Sequence, residues 1–362
     1  MGKPKVLFIG IHRPDRSPSQ RFRFEQYLDF LKGEGFDCKQ EYLLNQKDDK
    51  IFYSDGAVLG KARIVLKSIL KLIRLAYFTR YDIVFVQREA IMLGTSFFER
   101  RFSKRSKLIF DFDDAIWKHQ AGDIKSANKM FYFLKNPNKT KDIIKAADLV
   151  IAGNNYLANY ARQFNSKVKI IPTTIDTQEY QRIMKKETGK VCIGWSGSFS
   201  TIIHFETIIP ALVRIKEKYG DKVEFKVIGD PTFSNERLGV KGEPWVKETE
   251  VEELSKIDIG IMPLPDDEWT KGKCALKGLQ YMALGIPTIM SPVGVNADII
   301  EDGVNGFLAG DEDEWVEKIS KLIEDGFLRT EVGENGEIIV KDKFSVESKK
   351  NTYKDILSLV MR

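Results

Sequence analysis

The chain has 362 residues, 43% of them apolar, with 57 Lys and Arg against 52 Asp and Glu. That length exceeds one ordinary core and suits two domains of roughly 180 residues each. It has no apolar run near the roughly 20 residues that cross a bilayer, and its opening apolar run, residues 6–11, is too short for a signal-peptide core. Val6 stands where myristoylation favours Ser or Thr, and Cys38, Cys192 and Cys274 fit no disulfide or zinc spacing. A reducing cytoplasm is expected. The net charge of +5 is uneven: residues 1–180 hold 32 Lys and Arg against 20 Asp and Glu, residues 181–362 hold 25 against 32.

Short β-branched runs alternate with helical stretches, the pattern of parallel sheets covered on both faces. The first strand is expected over 6–11, followed by a loop of Arg, Pro and Ser (13–23) that opens a helix over 20–32. Arg21 and Arg23 at that helix start read as acceptor-phosphate ligands or as ordinary surface arginines. Residues 60–80 read as a basic helix, with Lys67, Lys71 and Arg74 on one stripe and Ile69, Leu70, Ile73 and Tyr77 opposite. Such a helix lies on an anionic membrane or covers a sheet with a solvated basic edge. With the basic run 99–107 it carries much of the excess charge; the acidic second half and the lack of a recognised motif argue against nucleic acid.

A strand over 83–87 ends in Gln87, Arg88 and Glu89, which read as acceptor contacts or as an internal Arg–Glu pair. The strand 108–112 delivers Asp111, Asp113 and Asp114 to its carboxyl end, where three acids need a cation or a hydroxyl-bearing ligand. Asp113 and Asp114 can equally cap a helix, and an Asp-x-Asp pair alone is weak evidence for a metal. Strands over 149–152 and 168–172 flank a helix over 154–164, and 184–190 reads as a linker. His12, His119 and His204 lack metal spacing and read as structural, with His12 and His119 near the expected cleft.

The second set of strands is expected over 191–195, 224–229, 258–264, 286–291 and 306–309, with a last helix over 346–359. Between the third and fourth lies a helix over 273–284 that places Lys273 and Lys277 on one face, and Gly285 and Pro287 punctuate its end. The helix start and the turn 292–296 offer backbone N–H groups, so Lys273, Lys277, Gly294, Val295 and Asn296 are expected to hold a pyrophosphate. Solvated surface lysines are the alternative.

The segments "AADLVIAGNNYLANYA", "IIPTTIDTQEY", "IGWSGSFST", "FKVIGD", "DIGIMPL", "LQYMALGIPTIMSPVGVN" and "IIEDGVNGFLAGD" resemble family 4 glycosyltransferases, retaining enzymes of the GT-B fold. The resemblance implies two Rossmann-like doubly wound parallel-sheet domains facing across a cleft: an acceptor domain over 1–184, a nucleotide-sugar domain over 185–345, and a helix 346–362 packing back on the first. It implies transfer of a hexose-type sugar from a nucleotide diphosphate sugar to a lipid-linked or saccharide acceptor, in cell-surface polysaccharide or glycoconjugate synthesis. A GT-B epimerase and a non-catalytic binding module are the rivals. The family's Glu-x7-Glu positions hold Gly272 and Gln280, with Gln280 still able to hydrogen-bond a ribose. Where the family has a basic pair, this chain offers Gly197, Ser198 and Thr201 beside Trp195 and Ser196. Asp113 and Asp114 are expected to orient the donor sugar, with Arg21, Arg88 and Glu89 on the acceptor. No metal or other cofactor is expected, nor nucleic acid; the expected location is the cytoplasm, peripheral on the inner membrane face.

Overall fold

The computed structural model describes residues 2–118, 136, 138–183 and 189–362. His119 and most of the expected linker, 184–188, lie outside the described residues. The chain forms two units, Met1–Thr173 with Lys349–Arg362, and Thr174–Ser348.

The first unit is built on β1 (Lys5–His12), β2 (Asp37–Leu44), β3 (Ile83–Gln87), β4 (Lys107–Phe112), β5 (Leu149–Ala152) and β6 (Val168–Ile170). Their order is β2-β1-β3-β4-β5-β6, every pair parallel. Val6 to Ile9 and Ile83 to Val86 are sealed from solvent, as continuous apolar runs inside a sheet covered on both faces should be. The strand β2 is not among those expected from the sequence. It runs along the sheet edge, and its polar, half-exposed "DCKQEYLL" carries no buried-strand signal.

Two predicted helices differ in the structure. The stretch 20–32 breaks into Pro18–Arg21, a 3-10 turn Glu25–Tyr27 and Leu28–Gly33. Gln20, Arg21, Phe22, Arg23 and Phe24 are all buried, and five consecutive buried side chains cannot share one face of a straight helix. The basic stretch forms Val58–Ile73 continued by a π-helical turn, Arg74–Phe78. It buries Ile64, Ser68, Leu72, Leu75 and Ala76, whereas Leu70 and Tyr77 of the expected apolar side remain exposed. Lys67 and Lys71 turn toward Asp48 and Glu41.

A fully buried ion pair ties the first unit together. The Arg23 Nε donates to both oxygens of Asp111 at 3.2 Å, and its Nη1 donates to the Ile171 carbonyl. Burial pushes the Asp111 carboxyl up, opposed by the Arg23 charge. Tyr353, from the last helix Val346–Met361, donates its hydroxyl to the Arg23 carbonyl and stacks on Tyr27 at 4.1 Å.

The second unit carries β7 (Val191–Ser196), β8 (Val223–Ile228), β9 (Ser234–Asn235), β10 (Val240–Glu243), β11 (Ile259–Met262), β12 (Thr288–Met290) and β13 (Phe307–Leu308). The order is β13-β12-β11-β7-β8-β10-β9, parallel except for the β9–β10 pair. That short hairpin, rich in Lys, Glu and Gly, is also absent from the sequence expectation. Its core runs from Trp195, Ile259 and Ile289 to Leu212, Ile215, Ile319 and Leu322 on the covering helices.

Breaking the Arg23–Asp111 pair leaves a buried charge without its partner. Asp111→Asn should lower stability by about 3–5 kcal/mol, read as a shift of the urea midpoint, and Tyr353→Phe by about 1 kcal/mol.

Candidate functional site

In each sheet the strand order reverses once, and open α/β sheets bind ligands beyond the carboxyl ends of the strands at such a point. In the second unit the reversal falls between β7 and β11. The loop after β7 begins at Gly197, whose N–H donates to the Ile228 carbonyl. A Cβ at Gly197 would lie 2.1 Å from the Trp195 ring and 2.8 Å from Lys277 Nζ. Gly229, at φ +110°, lets the β8 end approach Gly197 just as closely. Ser198 and Thr201 close the loop, Ser198 N–H donating to Thr201 Oγ1 at 3.0 Å and Thr201 N–H to the Ser198 carbonyl at 2.8 Å.

Lys277 enters this loop from the helix Leu276–Ala283. Its Nζ lies 4.3 Å over the Trp195 ring and 3.4 Å from Thr201 Oγ1, and among the described residues it has no carboxylate partner. The expected shared helical face with Lys273 is not formed. Thr270–Gly272 make a 3-10 turn pinned by Asp267, Lys273 follows in extended conformation, and Ala275 takes the left-handed φ of 56° before the helix begins. Lys273 instead lies 5.1 Å over the Trp269 ring, still close enough for its charge to act on Lys277. The helix ends as predicted at Gly285, φ 67°. Gly285 N–H donates to Met282 O and Ile286 N–H to Tyr281 O, a Schellman motif.

The remaining donor-site candidates are placed unevenly. Gly294, φ +56°, packs against Lys271, and its N–H and that of Val295 donate no hydrogen bond among the described residues. The Asn296 N–H expected to face an anion is taken by Val293 O at 3.2 Å, because a short helical turn starts there. Asn296 Nδ2 donates to Ser291 O, while its buried Oδ1 has no partner. Gln280, 3% exposed, donates its amide to Tyr180 Oη at 2.9 Å and Glu250 Oε1 at 3.0 Å. Trp245 and Tyr180 also donate to Glu250, so only the Gln280 amide oxygen remains for a ribose hydroxyl.

His204, read from sequence as structural, belongs to the same neighbourhood. It is 3% exposed and neither ring nitrogen has a partner. Burial and then the charges of Lys277 and Lys273 push it down to about 4, with Asp267 opposing. Burial and then Lys273 push the Lys277 ammonium down to about 7. Lys277 is partly buried and His204 buried, and neither has a carboxylate hydrogen-bond partner among the described residues. Only the lysine spacing carried a signal of this in the sequence.

In the first unit the reversal lies between β1 and β3. Arg88, at a left-handed φ of 60°, places Nε 2.7 Å from Asp113 and Nη2 on Asp114. Its opposed influences, burial against the two carboxylates, leave its pKa raised. The described residues after Asp114, 115–118, form turns, so neither carboxylate caps a helix there. The alternative Arg88–Glu89 pair is not formed, since Glu89 accepts from Lys139 Nζ at 2.7 Å. Arg21 is 5% exposed, 3.9 Å from Asp15 and 4.7 Å over the Phe22 ring, and so lies in the interior rather than on a surface.

Beside Arg88, His12 Nδ1 lies 3.5 Å from Asp49, and the ring stacks on Tyr53. Burial outweighs Asp49 and pushes His12 down to about 4. Burial alone would raise Asp49, but Arg16 and Arg13 hold it lowered. Among the described residues no group of three or more His, Cys, Asp or Glu is disposed to hold a metal.

An oxyanion bound at Lys277 restores the pKa that burial lowers, so binding takes up a proton above pH about 7. Pyrophosphate affinity should therefore fall as pH rises through that value, by at most about tenfold per unit for one proton. Calorimetry on Lys277→Met, which keeps the ligand's own titration, should show weaker binding near neutrality and no such extra fall.

Residues 190–325 match the family model described as "Glycosyl transferases group 1". An uncharacterized glycosyltransferase of Methanocaldococcus jannaschii is 27% identical over 286 residues, 73% of this chain and 71% of that protein. Among solved structures, sucrose-phosphate synthase of Thermosynechococcus elongatus aligns with TM-score 0.69 at 14% identity, over 99% of both chains. HepE of Anabaena, solved with UDP-glucose, aligns with TM-score 0.64 at 16% identity, over 98% of this chain and 99% of that one. A glycosyltransferase of Rickettsia africae aligns over all of both chains, with TM-score 0.70 at 12% identity. The fold is GT-B, and residues 190–325 of the second unit are similar to the glycosyltransferase group 1 model.

Proposed function

We propose that the protein transfers a hexose-type sugar from a nucleotide diphosphate sugar to a lipid-linked or saccharide acceptor, with retention, in the synthesis of a surface polysaccharide or glycoconjugate. The observation that carries this reading is Lys277, a partly buried ammonium with no carboxylate partner among the described residues, at the strand-order reversal of a unit that matches a glycosyltransferase model. A diphosphate fits it in charge. HepE, whose structure contains UDP-glucose, supports a nucleotide sugar as the donor, and retention and the family 4 subtype rest on the motif resemblance.

In the reaction the bond from the anomeric carbon to the diphosphate breaks and the acceptor oxygen bonds to that carbon. The acceptor hydroxyl passes its proton to the departing diphosphate, which leaves as the nucleoside diphosphate. Lys277, with Lys273 and the N–H groups of Gly294 and Val295, stabilises the charge gathering on the leaving group, the kind of interaction that grows toward the transition state. Gly197, Ser198 and Thr201 shape the phosphate loop, and the Gln280 oxygen is assigned to the ribose. Asp113 and Asp114, oriented by Arg88, are assigned to sugar hydroxyls, and Glu89 to the acceptor side, while Arg21 is held inside the unit beside Asp15 and Phe22. The chemistry needs no metal, because the lysines supply the positive charge.

The test is a thermal-shift panel of nucleoside diphosphates followed by transfer from the matching labelled donor. A ligand at 100 times its dissociation constant should add about 2.7 kcal/mol of stability. Lys277→Met should lower transfer by roughly 10²-fold or more. Full transfer by that variant overturns the assignment; conversion of donor without acceptor points to an epimerase, and binding without turnover to a binding module.

A further inference from the structure

The helix Val58–Ile73 and its π-helical continuation Arg74–Phe78 bury one side, through Ile64, Ser68, Leu72, Leu75 and Ala76. The other side is also apolar yet open to solvent: Leu59 is 88% exposed, Leu66 57%, Leu70 59%, Tyr77 40% and Phe78 79%. At about 100° per residue, Leu59, Leu66 and Leu70 fall within roughly 40° of one another, one continuous stripe. A helix that merely covers a sheet carries polar residues there, and contiguous exposed apolar surface marks an interaction site.

The chemistry of the border identifies the occupant. Arg63, Lys67 and Arg74 are exposed along one edge of the stripe, and residues 58–78 contain no Asp or Glu. Lys67 reaches Asp48, whereas Arg63 and Arg74 form no ion pair among the described residues. Nearby, Arg101 lies 4.2 Å over the Tyr77 ring, and Phe97 on the same short helix is 51% exposed. A second copy of the chain would bring like charges together across this face. An anionic bilayer accepts both parts, the leucines at the acyl boundary and the cations among the headgroups. None of the described helices is long and apolar enough to cross a membrane.

We infer that this face docks in the plane of an anionic lipid bilayer, with Leu59, Leu66, Leu70, Tyr77 and Phe78 entering the interface and Arg63 and Arg74 on the headgroups. The inference deepens the transferase reading by bringing the enzyme to a lipid-borne acceptor, and it is tested without any nucleotide, so that either can fail alone.

The experiment is flotation of the full chain with vesicles of equal parts phosphatidylcholine and phosphatidylglycerol, against phosphatidylcholine alone, at low and high salt. The protein should float with the anionic vesicles at low salt and be released by high salt. Arg63→Gln with Arg74→Gln should lower partitioning by about fivefold per cation removed. Leu66→Glu with Leu70→Glu should abolish it while pyrophosphate binding and the melting temperature stay unchanged, both side chains being exposed. Absence of flotation at every salt overturns the inference, as does a leucine variant that floats like the parent. So does a dimer, seen by light scattering, that the leucine variant dissociates, since the face then belongs to a second copy.

Discussion

An ammonium held against an indole, with no carboxylate partner among the described residues, opposes the fold it sits in. Burial disfavours the charge and Lys273 adds to the penalty, which is why the Lys277 pKa falls to about 7. The loop of Gly197 and Thr201 follows β7, and the unpartnered His204 ring lies on the short helix that starts just after it. Other lysines of this unit, such as Lys226 between Glu243 and Glu253, are neutralised by carboxylates. Lys277 differs from them in having no such pair among the described residues.

The parallel sheets explain why such groups collect there. Every chain segment leaving a strand at its carboxyl end must turn, and at a reversal of strand order two such segments diverge and leave a crevice. The first unit fills its own crevice with charge: Arg23 and Asp111 are sealed below, and Arg88 with Asp113 and Asp114 lies above. The buried pair fixes where β4 ends relative to the loop after β1. The more exposed pair keeps the two carboxylates oriented.

Buried strands were legible because their signal is local. Residues 83–86 and 149–152 are continuous apolar runs, and β3 and β5 begin on those very residues. The edge strand β2 and the β9–β10 hairpin lack that signal, since one flank faces solvent. The position of Lys277 was readable from the strand–helix–strand spacing, but the left-handed turn at Ala275 was not, because Ala carries no turn signature. The role of Gln280 depends on Tyr180 and Glu250, which lie 100 and 30 residues away in sequence. No pattern along the chain announces such a contact. The exposed side of the basic helix was misassigned for a related reason: both of its sides are apolar, and only packing shows which one the sheet takes.

Arg88 occupies a backbone geometry that costs a residue with a Cβ of order 1–3 kcal/mol, and glycine would adopt it without strain. The position therefore carries two opposing demands, a relaxed main chain and a forked guanidinium across two carboxylates. Removing the side chain while keeping the Cβ sacrifices the fork and retains the strain, whereas glycine sacrifices the fork and releases it. A mutational tolerance profile at this site would consequently run backwards from an ordinary strand end: glycine gentler than alanine, and lysine, which has the charge without the fork, no substitute for arginine.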